Sequence, residues 1–221
     1  MPAASLHVYL LGPCRLLWGD QPVAGFDQPR LQHLLAYLVL HRNAPVSRQQ
    51  LAFSFWPETT DQQALKNLRT LLTRLRQALP NADDYVSVTP QTLQWLPDAP
   101  FTLDVAQFEA ALAQAEAGGP DTVTNALLAA AAAYTGDLLP DCYDDWILPL
   151  REQLRQACGK ALEQLVLVLD EQREYARAVP FAQRLVHHDP LREAAYRHLM
   201  RLHLSQGHRA DAQRVYHVCE A

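Results

Sequence analysis

Four cations without an accompanying acid are the most informative group of residues in this sequence. Between Gln62 and Leu79 the chain contains four Lys or Arg side chains and no Asp or Glu. Leucines recur in the same stretch at helical spacing, so the cations would share the opposite face of one amphipathic helix. A cationic helical face suits the phosphates and base edges of double-stranded DNA. We therefore predict that this helix, Gln62–Leu79, lies in the major groove.

The predicted helix at Gln62–Leu79 is called the reading helix below, and each of its exposed side chains has an expected role. Its buried stripe is expected to consist of Leu65, Leu68, Leu72, Leu75 and Leu79. Base edges are expected to meet Thr70, Thr73 and Arg74, and phosphates to meet Lys66, Arg69, Arg76 and Gln77. Charge alone leaves open the alternative of a solvated helix face with incidental positive charge.

Two capping patterns frame the reading helix. Ser47 precedes Gln50, and Thr60 precedes Gln63, at the spacing in which a hydroxyl caps the start of a helix. The first pattern begins a short helix that ends at Pro57. A further amphipathic helix is expected after Pro29, ending near residues 42–43. The second and third helices form a predicted helix-turn-helix.

Strand patterns on both sides complete a predicted winged helix. Apolar residues alternate from Leu6 to Val23, which indicates a small antiparallel sheet, and they alternate again in 85–89 and 93–96, which indicates a hairpin. This hairpin would be the wing, although it contains no Lys or Arg. Additional contacts to the DNA backbone are expected from Arg48, Thr89, Gln91 and Thr92.

Composition and charge restrict the class of protein. The formal net charge is -5, which excludes a basic protein that coats nucleic acid. Residues 1–100 carry eight Lys or Arg against seven Asp or Glu, so the acidity lies in the rest of the chain. Four scattered cysteines indicate a reducing compartment, and no apolar run is long enough for a membrane span. We expect a soluble, cytoplasmic protein that does not contact membranes.

The chain after residue 100 has helical periodicity throughout. Strand signals stop at the stretch 97–100, which we take as the boundary between residues 1–98 and 101–221. The segments 174–178 and 208–212 match at an offset of 34, the period of TPR repeats. The expected fold is an α+β winged helix-turn-helix domain followed by an all-α, TPR-like domain. We expect Ala221 to fall inside a helix and the natural protein to continue beyond it.

An ordered set of motifs resembles the SARP family of transcriptional activators. In the first half the motifs are Leu11-Gly12-Pro13, Val46-Ser47-Arg48, Phe55-Trp56 and Ala64-Leu65-Lys66-Asn67-Leu68. In the second half Asp104-Val105, Tyr134-x-Gly136, Asp145-Trp146 and Asp189-Pro190-Leu191 resemble the bacterial transcriptional activation domain of that family. The resemblance implies an OmpR-type winged helix that binds direct repeats, often as a homodimer, and a TPR-like domain that contacts RNA polymerase.

Catalytic and metal chemistry are not indicated. The common phosphate-binding, hydrolase and zinc-protease motifs are absent from the sequence. The histidines at 187, 188, 198 and 203 lack ligand spacing and are expected to be exposed on helices. The acids at 141, 144 and 145 suit a helix N-terminus, and Tyr143 and Trp146 are expected to pack between the helices that follow the boundary. We therefore predict neither an enzyme, nor a cofactor, nor a metal site.

The sequence thus favours a sequence-specific DNA-binding regulator, with activation implied by the family resemblance. A TPR-type adaptor, whose winged helix serves protein contacts, is the alternative that the uncharged wing and the acidic second half leave open. A third possibility is that the chain is the front end of a larger multidomain signalling regulator, and this is compatible with both of the other functions.

Overall fold

The chain divides into two compact units. A computed structural model describes residues 5–220, without the side chains of residues 120 and 121. The first unit contains residues up to Val105 together with Gly136–Arg151, and the second contains Ala106–Thr135 and the residues from Glu152 onward. Ala221, for which a helix is expected, lies outside the described residues, as do residues 1–4.

Strands and helices alternate in the first unit. The strands are β1 (Leu6–Tyr9), β2 (Arg15–Trp18), β3 (Gln21–Pro22), β4 (Val46–Ser47), β5 (Val86–Val88), β6 (Thr92–Trp95) and β7 (Phe101–Leu103). The helices are α1 (Pro29–Leu40), α2 (Arg48–Phe55) and α3 (Asp61–Ala78), and a 3-10 turn follows at Ala82–Asp84. This order, with a sheet before the helices and a hairpin after them, confirms the predicted winged helix.

Two sheets frame the three helices. One has the strand order β3-β2-β1-β7, and the other has the order β4-β6-β5. β5 and β6 pair antiparallel, with Val86 opposite Trp95, which confirms the predicted hairpin. The expectation that strands end before residue 97 was wrong, because β7 pairs parallel to β1. Three residues are too few for a period-2 pattern to be visible in the sequence.

Both predicted helix caps are present. The Ser47 hydroxyl accepts a hydrogen bond from Gln50 N at 3.4 Å, and the Thr60 hydroxyl accepts one from Gln63 N at 3.4 Å. Each satisfies a backbone N–H that has no partner within the first turn of its helix. The buried side of α3 consists of Ala64, Leu68, Leu71, Leu72 and Leu75. Leu71 therefore lies in the core, whereas Leu65 is only half-buried.

Residues 136–151 pack inside the first unit, although they lie well beyond the predicted boundary near residue 100. Gly12 N donates to Asp137 O at 3.0 Å, and Leu139 N donates to Leu10 O at 2.9 Å. A Cβ atom on Gly136 would lie 3.2 Å from the Cα of Gly12, so the close approach of these two backbones favours glycine. The domain bounds 1–98 and 101–221 stay a prediction.

Trp146 belongs to the aromatic core of this unit. Its ring centroid lies 4.9 Å from that of Tyr37 and 6.2 Å from that of Phe55. The expectation that Tyr143 and Trp146 pack between the helices after the boundary was wrong. Trp146 packs against residues of α1 and α2, and 81% of Tyr143 is exposed. The two aromatic residues are close in sequence, but only Trp146 faces the helices of the winged-helix unit.

The helices of the rest of the chain follow the predicted pattern. They are α4 (Asp104–Ala117), α5 (Pro120–Ala133), α6 (Leu148–Glu171), α7 (Tyr175–His188), α8 (Glu193–Ser205) and α9 (Arg209–Cys219). Successive helices α7, α8 and α9 pack against one another. No helix within residues 5–220 is both long and apolar enough to cross a membrane.

The turn between α6 and α7 recurs between α8 and α9, displaced by 34 residues. Glu174 N donates to Leu169 O at 2.8 Å, and His208 N donates to His203 O at 2.9 Å. The residues just before these donors, Arg173 and Gly207, both have positive φ values, 59° and 79°. The repeat that two short sequence matches predicted is thus present in the backbone geometry, as in TPR-like folds.

Candidate nucleic-acid interface

The predicted reading helix presents all of its selected side chains to solvent. Within α3 the exposed residues include Lys66, Arg69, Thr70, Thr73, Arg74, Arg76 and Gln77. Four of the five leucines of the same helix, Leu68, Leu71, Leu72 and Leu75, are buried because they repeat every three or four residues. One face of α3 therefore anchors the helix, and the other is available for a ligand.

The exposed residues occupy different positions around the helix. At about 100° per residue, Lys66, Thr73 and Gln77 lie opposite the centre of the buried face. Arg74 and Arg76 lie toward the two margins of the exposed face. A flat ligand that meets the middle of this face would therefore reach Lys66 and Thr73 before the two arginines.

The four cations of α3 differ in their intramolecular partners. Arg74 Nη1 donates to Gln28 Oε1 at 2.9 Å, and Arg76 forms an ion pair with Asp83. Among the described residues, the side chains of Lys66 and Arg69 have neither a hydrogen-bond acceptor nor an ion-pair partner. Both are therefore ready to bind an anion without breaking a contact.

The two threonines of the face are oriented by their own helix. Thr70 Oγ1 donates to Lys66 O at 3.2 Å, and Thr73 Oγ1 donates to Arg69 O at 3.0 Å. A hydroxyl that donates to its own backbone retains lone pairs that accept hydrogen bonds. Thr70 and Thr73 can thus accept from the amino groups of adenine or cytosine, and their methyl groups can contact thymine.

The wing obtains a cation from another element. Arg48, the first residue of α2, donates from Nη1 to Thr89 O at 3.1 Å, and its backbone N donates to Gln91 O at 2.9 Å. The pairing of β4 with β6 places Ser47 opposite Thr92 and so brings the start of α2 to the wing. The structure therefore brings together in one surface the four residues expected to make additional contacts to the DNA backbone, Arg48, Thr89, Gln91 and Thr92.

The wing turn is held closed by a threonine hydroxyl. Thr89 Oγ1 accepts hydrogen bonds from Thr92 N at 2.9 Å and from Gln91 N at 3.3 Å, and it lies 2.9 Å from Thr92 Oγ1. These contacts shape a turn, residues 89–92, that contains no glycine. The Thr89 hydroxyl is therefore occupied within the turn, whereas the exposed side chain of Gln91 extends from it.

Gln28 is a residue that sequence reasoning missed. It precedes α1 and its side-chain oxygen holds Arg74, which is 46 positions away along the chain. An uncharged side chain in a loop carries no motif, so no sequence signal identifies this contact.

Comparison with known families decides the class of protein. The model of the bacterial transcriptional activator domain family matches residues 103–221, more than half of the chain. The chain belongs to this family. The model described as "Transcriptional regulatory protein, C terminal" matches residues 28–91, from α1 to the wing turn. An OmpR-type domain followed by a bacterial transcriptional activator domain is the SARP arrangement, and the protein is a transcriptional regulator of that type.

One solved structure supports the same fold. Mycobacterium tuberculosis EmbR, in complex with a low affinity phosphopeptide, is similar to this chain with a TM-score of 0.75 and 22% sequence identity. The similarity covers 97% of this chain and 58% of the EmbR chain. No curated protein matches the sequence. The two matched families are families of transcription regulators, not of enzymes.

Proposed function

We propose that this SARP-type regulator binds double-stranded DNA with α3 in the major groove and activates transcription. The observation that carries the proposal is the exposed, acid-free face of α3 after its first residue, on which Lys66 and Arg69 have no partner among the described residues. An 18-residue helix is about 27 Å long, and the major groove admits a helix. The helix-turn-helix and the wing support the same geometry.

The proposed roles combine base reading with phosphate binding. Thr70 and Thr73 would accept hydrogen bonds from base edges, and Arg74 would join them by leaving Gln28. Phosphates would be bound by Lys66, Arg69, Arg76 and Gln77 along the helix and by Arg48, Gln91 and Thr92 at the wing. Thr89 would join them only by releasing its hydroxyl from the turn. The Arg76–Asp83 pair is exposed and so stabilises the fold little, which allows a phosphate to compete for Arg76.

We further propose that two copies bind adjacent direct repeats. Neutralisation of about four phosphates per copy predicts a slope of about -3 to -4 in a plot of log affinity against log salt. Four phosphate contacts give a single copy only a modest affinity for DNA, so two copies on paired sites would make binding selective. Support comes from the SARP resemblance, as it does for a contact between the TPR-like helices and RNA polymerase.

Binding selection tests the DNA contact. Fragments of the source genome would be selected with the whole chain, and affinity for the enriched sequence would be measured by fluorescence anisotropy at several salt concentrations. We expect direct repeats, and we expect the Lys66→Ala/Arg69→Ala double variant to bind at least tenfold more weakly, with the slope reduced by about 2. Arg74→Ala and Arg76→Ala, made together, should also weaken binding.

A matched control removes an exposed arginine from α8. Arg197 forms only a long 3.7 Å pair with Glu193, so Arg197→Ala should leave DNA affinity unchanged. Binding that is equally strong in the α3 variants would contradict the proposal and favour the adaptor function. If the α3 variants do bind more weakly, transcription in vitro with the RNA polymerase of the source organism would distinguish activation from repression.

A further inference from the structure

The turn between α8 and α9 contains a buried histidine with an unsatisfied nitrogen. His203 lies in the last turn of α8 and is 8% exposed. Its Nδ1 is buried and has no hydrogen-bond partner within the described part of the chain. A buried polar atom without a partner costs free energy, so a native structure normally supplies one.

Two further ligand-type side chains surround this histidine. His208 precedes α9, and Asp211 lies in its first turn. Each of the three residues offers one ligand atom, and these atoms all lie within 4.8 Å of one another. His208 is exposed, so the cluster can be reached from solvent. The expectation that His203 is exposed was wrong, since only 8% of it is exposed. Sequence reasoning missed the cluster because it compared His203 with His198, which lies on another face of α8.

The preceding repeat shows that the turn itself does not require these side chains. At an offset of 34 residues, His203 corresponds to Leu169, His208 to Glu174 and Asp211 to Arg177. The equivalent backbone hydrogen bonds differ by only 0.1 Å, at 2.8 and 2.9 Å. Leu169 is fully buried, and Glu174 pairs with Arg177. The same backbone turn thus has a leucine and a salt bridge in one repeat and three potential metal ligands in the other.

We propose that His203, His208 and Asp211 form a binding site for a divalent transition metal, with Zn²⁺ as the best fit. Two imidazoles and one carboxylate suit Zn²⁺, which binds nitrogen and oxygen donors and takes four ligands, the fourth being water here. Ca²⁺ and Mg²⁺ favour oxygen ligands and fit less well. Arg214 contacts one carboxylate oxygen of Asp211 and orients the group, while a carboxylate has a second oxygen for the metal.

Metal binding would tie the end of α8 to the start of α9. Because the ligands come from both helices, the bound state requires the folded turn, and the metal stabilises the repeat by mass action. This proposal concerns the TPR-like helices and does not depend on the proposed DNA contact.

A second cluster, His33, Cys142 and Asp144, lies in the first unit. There, the Asp144 carboxylate already accepts hydrogen bonds from Arg30 at 2.6 and 2.9 Å and from Trp146 Nε1 at 3.4 Å. Its ligand capacity is therefore largely used by the fold. This cluster is the rival site that the experiment must distinguish.

The test is titration of the whole chain with Zn²⁺ after treatment with a chelator, by calorimetry and by thermal unfolding. We expect one Zn²⁺ per chain and a rise in the unfolding temperature of about 5–10 °C at a hundredfold excess over the Kd. His203→Leu, which copies Leu169, should fold at least as stably without metal and bind Zn²⁺ at least tenfold more weakly. His208→Ala should also lose affinity, whereas the exposed control His217→Gln should not.

Co²⁺ substitution separates the two clusters. A thiolate ligand gives a charge-transfer band in the near ultraviolet, and the proposed site has no thiolate. We expect Co²⁺ to bind without this band. The proposal is overturned if Zn²⁺ produces no thermal shift, if His203→Leu binds as tightly as the unmodified chain, or if the thiolate band appears and persists in His203→Leu.

Discussion

The guanidinium of Arg30 on α1 donates from one nitrogen, Nη1, to both carboxylate oxygens of Asp144, at 2.9 and 2.6 Å. The two residues are 114 positions apart. Trp146, two residues after Asp144, packs against Tyr37 and Phe55, and its indole N–H points to the same carboxylate. Residues 136–151 thus contribute to the core around α1, the helix on which the reading helix α3 packs.

Removal of the Trp146 ring should destabilise the first unit. Trp146→Ala deletes the contacts with Tyr37 and Phe55, and we expect the free energy of unfolding to fall by about 2–3 kcal/mol, less than for a fully buried tryptophan. Urea denaturation followed by circular dichroism measures the loss. Tyr143→Ala is the control, since 81% of Tyr143 is exposed, and it should change stability by less than about 0.5 kcal/mol. Equal effects of the two variants would contradict the assignment of Trp146 to the core.

Asp104 connects the end of β1 to the start of α4. Its buried carboxylate accepts hydrogen bonds from Leu10 N at 2.8 Å, Leu11 N at 2.7 Å and Val105 N at 2.8 Å. Asp104→Asn would place an amide N–H₂ against one of these donors, and we expect a loss of about 2 kcal/mol in unfolding free energy. Asp98→Asn, at an exposed position, should have no measurable effect in the same urea titration. A neutral result for Asp104→Asn would show that the three hydrogen bonds contribute little.

His33 should make the first unit acid-sensitive. Burial lowers the pKa of His33, and Arg30 lowers it further, although the nearby acids Asp144 and Asp141 raise it. The folded state therefore binds a proton less readily than the unfolded state. Stability conferred by neutral His33 is complete above about pH 6.5 and is lost as pH falls toward the lower pKa of the folded state.

The residue at position 33 cannot titrate in the variant His33→Gln, so the unfolding free energy of this variant should depend less on pH below about 6.5 than that of the unmodified chain. Chemical denaturation at a series of pH values measures both slopes. Parallel slopes would exclude His33 as the titrating group.

The proposed base-reading and phosphate-binding residues should respond differently to substitution. Thr70→Val keeps the shape of the side chain and removes the hydroxyl that could accept from a base, so discrimination against a wrong base should fall about tenfold without a change in salt slope. Arg48→Ala removes a cation beside the wing, so affinity should fall similarly for all sequences. The plot of log affinity against log salt should become shallower by about 1. Competition binding with single-base operator variants at two salt concentrations measures both effects. The reverse pattern would exchange the two roles.

The features that the sequence alone determined are local in character. The spacing of apolar residues, with a period of 3.6 in α3 and of 2 in the β5–β6 hairpin, predicted which faces are buried, because side-chain direction follows from backbone geometry. The caps at Ser47 and Thr60 needed only a hydroxyl and an N–H three residues apart. The 34-residue repeat was visible because each repeat buries the same positions.

Tertiary structure alone decided which distant side chains meet. Periodicity indicates that a residue faces outward or inward, but it contains no information on the atoms across a packed interface. No signal in the sequence therefore predicted that Arg48 donates a hydrogen bond to Thr89 O in the wing, or that Arg74 donates one to Gln28. His203 and Asp211 came together because the turn at Gly207 folds α9 back on α8, a geometry that spacing along a single helix cannot express.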